Sequence, residues 1–96
     1  MRKVLLYAPV LDGHPQVYCR VIGDILLEQG AELVIGTGET NDLAKKWPDL
    51  SALADRDDVK FVSTKKCSNV HREHLTAEEL RQLQIESNVD STLFIE

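Results

Sequence analysis

Residues 3–36 read KVLLYAPVLDGHPQVYCRVIGDILLEQGAELVIG, and this stretch decides the fold. It opens on an unbroken apolar run, Lys3–Ala8, which is typical of a strand buried on both faces of a parallel sheet. A second apolar run, Glu32–Gly36, closes the stretch. The apolar residues between the two runs recur at helical spacing: Val17, Val21, Ile22, Ile25 and Leu26. The stretch therefore predicts a strand–helix–strand unit with a right-handed crossover.

The helix of this unit has recognisable ends. Pro15 suits the first turn, where the N–H that proline lacks would have no partner within the helix. Gly30 suits the position just past the end, because glycine tolerates the left-handed conformation found there. We therefore expect a helix from Pro15 to the residue before Gly30. Its apolar face, with Val17, Val21 and Ile25, is expected to pack on the sheet.

Two more strands and another helix follow along the chain. Val59–Ser63 is apolar at its centre and predicts a third strand. Thr76 is followed three residues later by Glu79, which is the spacing of a capping box at the start of a helix. We expect this helix to end near Asn88. A fourth strand is expected at Thr92–Ile95.

This alternation predicts one α/β domain over residues 1–96. The expected fold is a small Rossmann-like three-layer sandwich with a parallel sheet of about four strands in the order 3-2-1-4. In such sheets, ligands bind beyond the carboxyl ends of the strands, where the strand order reverses. That point lies between strands one and four. The turn Asp12-Gly13-His14 follows strand one and is therefore expected at the ligand crevice.

Composition narrows the function classes. The chain has 96 residues, 43% of them apolar, and a formal net charge of -5. The acidic balance argues against a nucleic-acid binder, which needs a basic face. No stretch of the sequence is long and apolar enough to span a bilayer. Cys19 and Cys67 form no CxxC motif, and we expect reduced thiols in a cytoplasmic protein.

Residues 3–38 resemble the start of the GT-B fold glycosyltransferases. That family opens with an apolar strand, a Gly-His turn with a nearby proline, an amphipathic helix and a second strand. Here the turn is Gly13-His14 and the proline is Pro15. Two features depart from the family pattern. Pro15 follows the histidine directly, and Ala31 stands where a second histidine is frequent.

The resemblance implies a function and a role for His14. In nucleotide-sugar transferases of this fold, the turn histidine often removes the proton of an acceptor hydroxyl, which then attacks the donor sugar. A neutral imidazole can accept a proton near pH 7. The donor nucleotide is held mostly by a second, C-terminal domain. The chain is therefore expected to supply the acceptor side, to be inactive alone, and to need no cofactor or metal.

Five residues are expected to contact the acceptor beside this histidine. Asp12 and Gly13 are its neighbours in the turn. Lys65, Lys66 and Arg72 lie in the polar connection before the last helix, at the corresponding edge of the acceptor cleft in GT-B enzymes. These cations suit an anionic acceptor or one carried by a membrane surface. The resemblance therefore also implies peripheral membrane contact as a hypothesis.

The end of the sequence carries a further expectation. The predicted fourth strand reaches almost to the last residue, whereas an α/β domain usually covers its last strand with a helix. We therefore expect that the chain is the N-terminal fragment of a longer protein. Exposed sheet edges in such a fragment would favour self-association.

Three alternatives stay open at this point. His14 could be a structural turn residue, or it could contact a ligand without taking a proton. The chain could also be a non-catalytic binding module that presents the 64–74 loop to a protein partner. In that loop, Cys67, His71 and His74 have the short spacing of zinc ligands but lack an evident fourth. The acidic run Asp55–Asp58 is interpreted as a solvated turn.

Overall fold

The computed structural model describes residues 2–11, 13–38, 43–64 and 75–95. The strands are β1 (Lys3–Tyr7), β2 (Glu32–Thr37), β3 (Val59–Ser63) and β4 (Ser91–Phe94). The helices are α1 (His14–Glu28), α2 (Leu43–Lys46), α3 (Pro48–Ser51) and α4 (Ala77–Ser87). A 3-10 turn, Ala52–Asp55, follows α3 directly.

The four strands form one parallel sheet in the order β3-β2-β1-β4, which confirms the predicted fold class and strand order. In the register of the central pair, Lys3 lies opposite Glu32 and Tyr7 lies opposite Gly36. The predicted strands agree with the observed ones to within a residue at each end. The apolar sequences of β1 and β2, the two central strands, are explained by their burial on both faces, as expected for a parallel sheet between helices.

Helices cover both faces of the sheet and form the outer layers. The larger core cluster lies beneath α1, α3 and the 3-10 turn, and it includes Leu6, Leu33 and Ile35. The smaller cluster joins Leu5 and Val34 from the other face to α4 and its neighbours. The chain is therefore a three-layer α/β/α sandwich, and the carboxyl ends of all four strands meet at one edge.

The orientation of α1 differs from the prediction. Val17, Val21 and Ile25 do not pack on the sheet, and their side chains remain 47%, 51% and 49% exposed. The helix instead buries its opposite face, which carries Cys19, Gly23 and Leu27, with Ile22 and Leu26 partly buried beside it. These two partly buried residues are the part of the predicted face that does reach the core.

Gly23 explains which face of α1 is buried. A Cβ atom at this position would lie 3.2 Å from Leu33 Cδ1 and 3.5 Å from Leu53 Cδ1. The helix backbone therefore approaches β2 and the 3-10 turn more closely than a valine or isoleucine would allow. This close packing of the helix backbone on the core offsets the cost of leaving Val17, Val21 and Ile25 exposed.

The last helix forms as predicted at both ends. Thr76 Oγ1 accepts a hydrogen bond from the Glu79 N–H at 3.2 Å, and Glu79 Oε1 accepts one from the Thr76 N–H at 2.9 Å. These two bonds complete the capping box. At the other end, Asn88 adopts the left-handed conformation with φ 54° and closes the helix. The cap therefore fixes where α4 starts after the 65–74 segment.

Cys19 is expected to resist thiol reagents in the folded protein. Burial raises the pKa of its thiol from the ordinary 9.0 to about 12. At pH 8 this lowers the reactive thiolate fraction by about 10³. In a Cys67→Ser background, labelling with a maleimide should be slow in buffer and fast in denaturant. Equal rates in the two conditions would contradict the buried position of Cys19.

Candidate active site at the carboxyl edge of the sheet

His14 is the first residue of α1, at the edge of the sheet where β1 ends. The prediction placed it just before the helix, so the helix begins one residue earlier than expected. The side chain is exposed. In the strand order β3-β2-β1-β4, the order reverses between β1 and β4. His14 therefore stands on the first connection after the strand that borders this switch point, as predicted.

Gly13 sets the direction in which α1 leaves the sheet. It has φ 83° and ψ -136°, a backbone conformation that residues other than glycine rarely adopt. A Cβ atom added here would have open space around it. The requirement for glycine is therefore conformational and does not arise from crowding.

Replacing Gly13 with alanine should lower the free energy of unfolding by about 1–3 kcal/mol, because the backbone must keep a conformation that is strained for alanine. Urea unfolding measures this loss. Gln29→Ala at the other end of α1 is the matched control and should change stability by less than about 0.5 kcal/mol. A Gly13→Ala loss no larger than that of the control would show that this turn does not need the positive φ.

An aromatic side chain lies against the histidine ring. Tyr18, one turn further along α1, stacks on His14 with ring centroids 6.1 Å apart and an interplanar angle of 26°. The i, i+4 spacing brings the two side chains to the same face of the helix. The stack restricts the orientations of the imidazole and gives the candidate site an apolar wall.

Hydrogen bonds tie the strand ends together at this edge. The Gly38 N–H donates to the Pro9 carbonyl at 3.0 Å, and the Ile95 N–H donates to the Tyr7 carbonyl at 2.9 Å. Gly36 and Thr37 belong to β2, and both are buried together with Gly38, which follows them. The residues that follow β2 and β4 are thus both hydrogen-bonded to the end of β1.

The two described residues that flank the 65–74 segment, Thr64 and Leu75, lie at this same edge. Thr64 is buried directly after β3, with its Cγ2 atom 3.6 Å from the Cβ position at Gly36. At the other end, the Leu75 N–H donates to the Tyr7 hydroxyl at 2.6 Å. Tyr7 in turn packs edge-on against Phe94, with ring centroids 5.8 Å apart.

The structure describes only some of the remaining predicted site residues. Gly13 is beside His14, as the sequence requires. The predicted acceptor contacts Asp12, Lys65, Lys66 and Arg72 lie outside the described residues. Cys67, His71 and His74, which have the spacing of zinc ligands, also lie outside the described residues. Among the residues that the structure does describe, no group of three or more His, Cys, Asp or Glu side chains could hold a metal ion.

The acidic run before β3 lies at the amino edge of the sheet, away from His14. Arg56 donates two hydrogen bonds to the Asp58 carboxylate, at 2.8 and 2.9 Å. These bonds lower the pKa of Asp58. The run is an exposed turn with its own internal cation, which agrees with its interpretation as a solvated turn. Shallow concavities lie over this turn and along the outer face of α4, and neither includes His14.

Two contacts of the candidate site were missed by sequence reasoning. The stack of Tyr18 on His14 could have been found from their four-residue spacing on one helix. The bond from Leu75 to the Tyr7 hydroxyl joins residues 68 positions apart. No local pattern indicates such a contact.

Comparison with known proteins found no matching family model, no similar curated protein and no similar solved structure. Within residues 2–11, 13–38, 43–64 and 75–95, no helix is long and apolar enough to cross a membrane. The functional interpretation therefore depends on the geometry around His14 and on the resemblance of residues 3–38 to the GT-B fold.

Proposed function

We propose that this domain forms the acceptor side of a glycosyl-transfer site, with His14 as the general base. One observation supports this most strongly. An exposed imidazole stands at the first residue of α1, on the connection after β1, beside the switch point of a β3-β2-β1-β4 sheet. Ligands of doubly wound sheets bind at this edge. A base there can meet a substrate without a rearrangement of the core.

The proposed reaction joins an acceptor alcohol to a sugar from a nucleotide-sugar donor. The imidazole takes the proton of the acceptor hydroxyl while the oxygen lone pair attacks the anomeric carbon. The bond from this carbon to the donor phosphate breaks, and the nucleotide leaves with the bonding electrons. The proton lost by the acceptor hydroxyl is then held by the histidine, which becomes an imidazolium. The products are the glycoside and the free nucleotide.

The surroundings of His14 suit an acceptor. Tyr18 gives an aromatic surface next to the base, and aromatic faces stack on the C–H groups of sugars and other ring systems. Thr64 and Leu75, the described residues on either side of the 65–74 segment, lie at the same edge of the sheet, and the cations Lys65, Lys66 and Arg72 of this segment are proposed contacts for an anionic acceptor. Such an acceptor could be carried by a membrane surface.

The donor nucleotide is proposed to bind in a second domain, as the family resemblance implies. The 96 residues would then supply the base and acceptor contacts but would not transfer sugar alone. This division of labour is consistent with the absence of a glycine-rich dinucleotide fingerprint in the turn after β1, where Gly13 is the one glycine.

Acceptor-dependent release of nucleotide tests the proposal. The protein expressed from its complete coding sequence is incubated with a panel of nucleotide sugars and alcohol acceptors. At least one pair should release nucleotide faster than the donor alone, and the product should be a glycoside by mass spectrometry. The 96-residue domain by itself should be inactive with that pair. Activity of the isolated domain would overturn the two-domain proposal, and inactivity with every pair would overturn sugar transfer.

A further inference from the structure

The outward face of α1 is apolar and faces solvent. Val17, Tyr18, Val21 and Ile25 are each about half exposed. Their spacing places them in one stripe that runs down the helix from His14 to Glu28. Scattered exposed apolar residues are ordinary, but four on one helix face form a continuous patch, and such patches mark interaction sites.

Charges beside this stripe show what would complement it. Arg20 and Asp24 lie along one flank and form an ion pair of 3.2 Å, with side chains 36% and 47% exposed. Arg20 Nη1 also donates to the Asp49 carbonyl at 2.8 Å, so the flank presents one cation and one anion that each keep only part of their surface exposed. Exposed His14 and exposed Glu28 lie at the two ends of the stripe. In a second copy of α1 that runs in the opposite direction, the order of Arg20 and Asp24 along the contact is reversed.

We propose that this face binds the same face of a second copy of the chain, with the two α1 helices antiparallel and Val21 at the two-fold axis. Val17 of one copy would then pack near Ile25 of the other. Antiparallel helices bring the same flank of each copy together, so Arg20 would lie about 3 Å along the axis from Asp24 of the second copy. Glu28 of the second copy would fall beside His14.

The antiparallel arrangement is favoured by charge over a parallel one. A parallel pair places the flank with Arg20 and Asp24 on opposite sides of the two copies, so these charges do not meet across the contact. The antiparallel pair places unlike charges together and also aligns the helix dipoles head to tail. The net charge of -5 on each copy opposes association. At physiological ionic strength, screening over about 8 Å leaves mainly the groups beside the contact.

The size of the face sets the expected strength. A helix of 15 residues is about 22 Å long and about 10 Å wide. This footprint is well below the roughly 800 Å² per partner of a standard interface. We therefore expect a weak dimer, with a Kd of about 10 μM to 1 mM. The contact is argued from the surface of α1 and does not depend on the proposed function.

Sedimentation equilibrium over a range of protein concentrations tests the contact without any activity. The mass of the wild-type domain should rise from 10.8 kDa towards twice that value as the concentration increases. Val21→Glu should remain monomeric. Ile85→Glu makes the same chemical change at an exposed site on α4 and should associate like the wild type. The proposal would be overturned by a wild-type protein that stays monomeric at 1 mM, or by an equal loss of association in Val21→Glu and Ile85→Glu.

Disulfide trapping tests the direction of the helices. In a Cys67→Ser background, a mixture of Val17→Cys and Ile25→Cys proteins should form mostly the mixed disulfide dimer. The buried Cys19 should not compete, because its thiol is inaccessible. Mostly like-with-like dimers would show a parallel pair and would contradict the two-fold arrangement around Val21. This readout requires no sugar transfer.

Discussion

Replacing Ile35 with alanine is expected to lower the free energy of unfolding by about 2–5 kcal/mol. Ile35 lies in the middle of β2 and its side chain has 0% exposure within the larger core cluster. The substitution removes three buried carbon atoms and leaves a cavity that a central strand cannot close. Urea unfolding followed by far-ultraviolet circular dichroism gives the value.

Ile25→Ala is the matched control, because it removes the same atoms from α1. Ile25 is 49% exposed, and the change should alter stability by less than about 1 kcal/mol. Both variants are compared at low protein concentration, so that the proposed contact between two α1 helices does not contribute. A loss of stability for Ile25→Ala as large as that for Ile35→Ala would mean that the face of α1 with Val17, Val21 and Ile25 packs on the sheet.

The strands could be predicted because their sequence pattern is local and unambiguous. Runs such as KVLLY and ELVIGT are short, apolar and bounded by polar or turn residues, and a strand buried on both faces needs this composition. The strand order followed from the same alternation of elements. Capping residues are also local, which is why Thr76 and Glu79 predicted the start of α4 correctly.

The buried face of α1 could not be predicted from spacing alone. Val17, Val21 and Ile25 recur every four residues, and so do Cys19, Gly23 and Leu27. Hydrophobicity favours the first set, but the structure buries the second. The deciding contact is the close approach of Gly23 to Leu33 and Leu53, which are distant in sequence. A glycine in the middle of a helix was the signal that was overlooked.

The candidate site was predictable in position but not in its surroundings. Topology alone places the turn after β1 at the carboxyl edge of the sheet, and His14 lies there. The aromatic wall from Tyr18 needed the observed helix start. The bond from the Leu75 N–H to the Tyr7 hydroxyl joins residues 68 positions apart, and no local pattern predicts it.

His14→Ala is expected to lower acceptor-dependent turnover by about 10²–10⁴-fold, which is the usual contribution of general-base catalysis. The exposed side chain lies at the helix start, so stability should change by only about 0.5 kcal/mol. Nucleotide release and the unfolding midpoint are measured on the same protein, expressed from its complete coding sequence.

Gln29→Ala, at the opposite end of α1, is the control for this comparison. It is exposed and lies at the amino edge of the sheet, so neither turnover nor stability should change measurably. A loss of activity in His14→Ala that is matched by a loss of folded protein would assign His14 a structural role in the turn.

Chemical rescue of His14→Ala by imidazole is the most direct test of the base. The substitution leaves space at an exposed position, and a free imidazole can accept the acceptor proton there. We expect added imidazole to restore part of the lost nucleotide release in His14→Ala, in proportion to its concentration, and to leave the wild-type rate unchanged. Wild-type turnover in His14→Ala without imidazole would contradict the assignment of His14 as the general base.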